Sequence, residues 1–171
     1  MKYFLCLIAA FVAVIVGSVP AYAQTAPDAA QLQKISQACQ RQQVNLRSLQ
    51  KRDTILRINR GRLYDMSQRQ TGAFVARLQA NNITDSPIMQ LDLDFRTTFL
   101  QFKVDYDQYA EYLEQAIGID CAAKPAEFYS LLLRATDARK KVGADVTKLR
   151  DQTNQYITEL VKLRDTKYEE H

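Results

Sequence analysis

Tryptophan is absent from this 171-residue chain, and histidine occurs once, as the terminal His171. A lone terminal imidazole leaves little for His-based acid–base chemistry or for a His-ligated metal. No Gly-rich phosphate loop, Ser nucleophile elbow or Cys/His pair occurs. Proline and glycine are scarce, three and four residues after Ala23, which excludes a loop-rich β-sandwich, a collagen and a low-complexity tail. The charge excess is small: 23 Lys and Arg against 19 Asp and Glu. That does not mark a nucleic-acid binder.

The first 23 residues read as an export signal. Lys2 supplies the positive start, Leu5 to Val16 the apolar stretch, and Pro20 breaks the helix before the small-x-small end Ala21-Tyr22-Ala23. Cleavage after Ala23 leaves residues 24–171 as one domain in a periplasmic, cell-surface or secreted location. The rival reading is an uncut membrane anchor, for which the Tyr3–Val19 run is short against the roughly 20 residues of a spanning helix. Two cysteines then remain, Cys39 and Cys121, and an even pair in an exported chain reads as one disulfide. The competing readings are two free thiols and a metal pair, which would need two further soft ligands that no internal His or third Cys supplies.

Prolines punctuate the rest. Pro27, Pro87 and Pro125 stand where helices begin, since Pro is tolerated in a first turn whose N–H groups have no intrahelical partner. Asp28 with Gln31 resembles a capping box, and Asp85 or Ser86 can cap the second start. Asn81-Asn82 closes the first run, and Gly118 suits a left-handed cap on the second. The spacing predicts helices over 28–81, 87–117 and 125–168.

Each run carries an apolar seam. Phe95, Phe99, Phe102, Tyr106, Tyr109, Leu113 and Ala116 alternate steps of four and three, the pattern of core residues rather than of a stacking platform. In the third run Phe128, Ala135, Val142, Leu149, Tyr156 and Leu163 recur every seven residues, with Arg139 and Thr153 interrupting the companion row. The first run shows Leu32, Ile35, Cys39, Leu46 and Leu49, then Leu56 and Leu63. It weakens between Lys51 and Arg62, where Asp53 and Arg60 fall on the seam and Gly61 lowers helix propensity.

A turn at Asn59–Gly61 would make four helices and separate the cysteines by about 45–50 Å. One unbroken first helix, bent at most near Gly61, brings them together. The expected fold is therefore all-α: an elongated up-down-up three-helix bundle, coiled-coil-like, stapled by Cys39–Cys121. On ideal helices the two cysteines miss each other by roughly 12 Å, which the bent connection after Gly118 or a kink near Gly61 can absorb.

Charge is divided along the chain. Residues 41–77 hold nine basic side chains and two acids, whereas 85–127 hold nine acids and three basic side chains. Mutual complementarity between neighbouring helices explains this; a basic stripe for an anionic polymer or lipid surface, through Arg41, Arg52, Arg62 and Arg69, is the alternative. The paired acids Asp92/Asp94 and Asp105/Asp107 stand two apart and point to different faces. Glu111 and Glu114 share a face without a His to complete a metal set. Asn82-Ile83-Thr84 matches a glycosylation sequon in the expected hairpin loop.

These observations imply a non-enzymatic exported scaffold or protein-interaction protein, with no cofactor, metal or small-molecule substrate evident. A partner helix or a second copy would pack on Ile55, Ile58, Met66 and Leu78, apolar residues off the clean seam.

Overall fold

In the computed structural model, which describes residues 27–83 and 87–169, the chain folds as three helices: α1 (Ala29–Ala80), α2 (Pro87–Gly118) and α3 (Pro125–Glu169). The export signal, its cleavage point, the Asp85/Ser86 cap and Thr84 of the sequon lie outside the described residues. The architecture is the up-down-up bundle, with α1 unbroken through Gly61 and about 78 Å long at 1.5 Å per residue.

Local chemistry sets the ends. The Asp28 carboxylate accepts the Gln31 N–H at 2.7 Å while the Gln31 side chain accepts the Asp28 N–H, a complete capping box. Pro87 and Pro125 occupy the first positions of α2 and α3. The left-handed cap falls elsewhere than expected. Gly118 does not adopt a positive φ; Asn82 does, at 60°. Asn82 N–H donates to the Gln79 carbonyl and Ile83 N–H to the Leu78 carbonyl, so α1 ends in a Schellman motif with Asn in the place usually taken by Gly.

Antiparallel register between α1 and α2 is nearly constant. Cys39 faces Cys121, Asp53 faces Tyr109, Tyr64 faces Phe99 and Thr71 faces Asp92. From Cys39 to Thr71 is 32 residues and from Asp92 to Cys121 is 29, a difference of three, or roughly 4.5 Å. The expected 12 Å misfit is thus much reduced, because the turn at Asn81-Asn82 folds the chain back earlier than Thr84. The cysteine Cα atoms lie 5.5 Å apart, within disulfide range. Around them Ala116, Phe128 and Leu131 form the buried end of the bundle.

The middle of the core is the expected aromatic row, Phe95, Phe99, Phe102, Tyr106 and Tyr109, all buried. The seam of α1 departs from expectation. Leu56 and Leu63 are 49% and 53% exposed, whereas Tyr64 is buried. The inward residues are Cys39, Leu46, Asp53, Tyr64, Thr71 and Leu78, steps of 7, 7, 11, 7 and 7. An eleven-residue step covers three turns at 3.67 residues each, so it keeps the seam on the same side of the helix where a further heptad would drift off it.

Candidate functional site

α2 and α3 pack along one another, α1 rests chiefly on α2, and α1 meets α3 least. A gap between α1 and α3 follows, floored by the aromatics of α2. Tyr64 closes it midway, edge-on to Phe95, Phe99 and Phe102 and beside Leu149. Two clefts remain, one on each side of Tyr64.

The first, about 260 Å³, lies toward the disulfide end and is lined by Asp53, Leu56, Arg57, Arg60, Phe102, Tyr106, Tyr109, Arg139, Val142 and Gly143. Asp53 organises it. The Tyr109 hydroxyl donates to Asp53 Oδ2 at 2.8 Å and Arg139 Nε donates to the same oxygen at 3.1 Å, so one buried carboxylate ties all three helices. Burial, and then the Asp53 hydrogen bond and charge, push the Tyr109 hydroxyl well above its ordinary range; the Asp53 hydrogen bond raises Arg139 further. Arg57 lies over the Tyr106 ring at 5.1 Å and donates to Asp107 at 3.0 Å.

The second cleft, about 320 Å³, lies toward the hairpin and is lined by Ser67, Gln70, Thr71, Phe74, Leu91, Phe95, Gln152, Thr153, Tyr156 and Leu160. Its polar wall is partly committed. Thr71 donates to the buried Asp92 carboxylate, which also pairs with Arg96 at 2.8 Å. Thr98 donates to the Asp94 carbonyl at 2.9 Å and accepts from Gln152 Nε2 at 3.1 Å. Gln152 Oε1 and the Tyr156 hydroxyl are buried and have no hydrogen-bond partner among the described residues. Burial, reinforced by the Asp92 charge, pushes the Tyr156 hydroxyl up to about 12.

The residues singled out from sequence fall into three groups. Arg41, Arg52, Arg62 and Arg69 are all exposed, and Arg69 pairs with Asp65 at 2.8 Å. Arg41 and Arg52 share a face; Arg62 and Arg69 lie about 80° further round the helix, so the four do not form one stripe. Ile55, Ile58 and Met66 are exposed, at 60%, 43% and 51%. Leu78 is a correction: at 6% exposure it belongs to the core, because the heptad steps beyond Tyr64 return position 78 to the inward face. Glu111 and Glu114 are both exposed.

Sequence reading passed over Asp53, Tyr109, Arg139, Gln152 and Tyr156 as a site. A signal was present: opposite charges break two seams, at Asp53 and Arg139, and a buried acid opposite a base is a pair rather than two defects. Among the described residues no group of three or more His, Cys, Asp or Glu is placed to share a metal, and no helix is long and apolar enough to cross a membrane. The chain matches no protein-family model, no curated protein and no solved structure.

Proposed function

We propose that this protein is an exported, non-enzymatic helical scaffold of the cell envelope that works by helix packing, with a second copy of the chain as its partner. The observation that supports this is the exposed apolar spacing on two helices. Val44, Ile55, Ile58 and Met66 of α1 and Leu93, Leu100 and Val104 of α2 are large, apolar and more than two-fifths exposed. Leu93, Leu100 and Val104 stand at steps of seven and four, the spacing of a helix-packing stripe. Lys51, Arg52 and Arg62 flank the α1 residues, while Asp94, Asp107 and Glu111 flank those of α2. The α1 surface of one copy therefore suits the α2 surface of another in charge as well as in apolarity. Sedimentation of the oxidised chain tests this. The expected result is a mass that rises with concentration in the micromolar range and returns to one chain in Ile55→Glu/Met66→Glu. A mass of one chain throughout rejects it.

One observation favours the alternative, binding of anionic polymers or lipid surfaces. Among the described residues the ion pairs that join α1 to its neighbours are Arg57–Asp107 and Asp53–Arg139, so Arg41, Arg52 and Arg62 are not neutralised by α2. That reading requires retention on heparin that falls steeply with salt.

A further inference from the structure

We infer that the cleft bounded by Phe95, Gln152 and Tyr156 is a binding site for a small neutral amphiphile: an apolar body with a single hydroxyl head, as in an alcohol or a phenol. The inference rests on the cleft alone and is independent of self-association.

Two buried polar atoms carry it. Gln152 is only 7% exposed. Its orientation is fixed by its neighbour: the Thr98 hydroxyl gives its proton to the Asp94 carbonyl, so Gln152 must offer Thr98 its N–H and turn its carbonyl oxygen away. Among the described residues that oxygen is buried without a partner, and so is the Tyr156 hydroxyl one helical turn further on. Buried polar groups in native folds are almost always satisfied, and leaving one unmade costs stability. The unpaired acceptor and the unpaired hydroxyl belong to two residues that line the same cleft, and a small rotation of either side chain would present it to a ligand that completes the site.

The chemistry of the pair selects the head group. One ligand hydroxyl satisfies both atoms: its proton goes to Gln152 Oε1 and its oxygen accepts the proton of Tyr156. A carboxylate or phosphate anion has no proton for Gln152, and the Asp92 charge acting on Tyr156 opposes it further. The body faces Phe74, Leu91, Phe95 and Leu160, which suits an apolar chain or ring. The first cleft, with Arg57, Arg60 and Arg139 around it, has the opposite electrostatic character, so the two do not compete for one ligand.

The test is a fluorescence titration of the full oxidised chain with 2-naphthol, beside naphthalene and 2-naphthoate as probes without the hydroxyl and with a charge. The expected result is that 2-naphthol binds about tenfold tighter than either, the size of one net hydrogen bond. Gln152→Leu and Tyr156→Phe should each erase the margin over naphthalene while naphthalene itself still binds. Tyr156→Phe keeps the ring and removes only the hydroxyl, so it serves even where Gln152→Leu unfolds. Ser67→Phe, which fills the cleft from α1, should abolish binding of all three with the helical circular dichroism unchanged. No binding of 2-naphthol, an affinity equal to that of naphthalene, or a margin that survives Tyr156→Phe would overturn the inference.

Discussion

Asp53 on α1 and Arg139 on α3, 86 residues apart in sequence, meet at 3.1 Å across the gap between their helices. The same carboxylate oxygen holds the Tyr109 hydroxyl at 2.8 Å, so the contact between α1 and α3 is polar where a coiled coil would place an apolar layer.

The three partners should contribute unequally. Asp53→Ala leaves the buried Tyr109 hydroxyl without its acceptor and Arg139 without its counter-ion, and should cost about 2 kcal/mol in urea unfolding. Tyr109→Phe should cost about 1–2 kcal/mol, the range of a hydrogen bond to a charged group. Arg139, whose side chain is 54% exposed, keeps much of its hydration, and Arg139→Ala should cost under about 1 kcal/mol. A double-mutant cycle on Asp53 and Tyr109 should show coupling of about 1 kcal/mol or more; additivity would mean that the buried hydrogen bond contributes nothing.

Cys39 and Cys121 close a span of 82 residues. In the chain-entropy picture such a link stabilises by roughly 4–5 kcal/mol, an upper guide. Cys39→Ser/Cys121→Ser, or reduction of the native protein, should lower the denaturation midpoint by an amount equivalent to about 2–5 kcal/mol, with the helical spectrum retained below the transition.

Between α2 and α3, the Asp145 carboxyl is pushed up to about 6 by burial first and then by the charge and hydrogen bond of Asp105. Lys148 opposes the shift, and Gln101 donates to Asp105 at 3.0 Å. A raised carboxyl binds its proton more tightly folded than unfolded. Stability from this pair is therefore present below about pH 4 and is lost as pH rises through about 6. Asp145→Asn should remove that dependence and stabilise the protein at pH 7 by about 1–2 kcal/mol, a figure reduced for the partial exposure of the site. Unfolding free energies at pH 4, 5, 6 and 7 check the sign.

Glycines separate by what surrounds them. Nothing lies within 4 Å of a Cβ added at Gly61 or Gly143, so Gly61→Ala and Gly143→Ala should each stabilise by about 0.5–1 kcal/mol. A Cβ at Gly72 would fall against the Arg96 guanidinium, which pairs with Asp92. Gly72→Ala should therefore gain nothing in thermal stability, and Asn82→Gly, which relieves the φ of 60°, should gain about 0.5 kcal/mol.

Most of the fold was legible because its signals are local. Pro87, Pro125, the Asp28–Gln31 box and the alternating aromatics of α2 each act within a turn or two of helix. Cys39 and Cys121 supplied the one long-range restraint that chose an unbroken α1. The rotation of the α1 seam was not legible, since Leu63 and Tyr64 are adjacent and both apolar, and periodicity alone cannot say which faces inward. The clefts were hidden for a different reason. They arise from α1 resting on α2 more than on α3, and the unsatisfied Gln152 oxygen depends on what Thr98 does with its proton. Neither is encoded in the spacing of one helix.

Both clefts, the outward α1 residues and the disulfide register depend on α1 running through Gly61 without a break. The direct measurement is a pulsed dipolar distance between nitroxides on non-cysteine side chains at Gln37 and Gln79, two exposed positions of α1, in protein diluted with unlabelled chain. An unbroken helix places them 42 residues apart, about 63 Å, and a distribution centred there is expected. A turn at Gly61 would fold the two ends side by side, and a distance of about 10–30 Å would contradict the account.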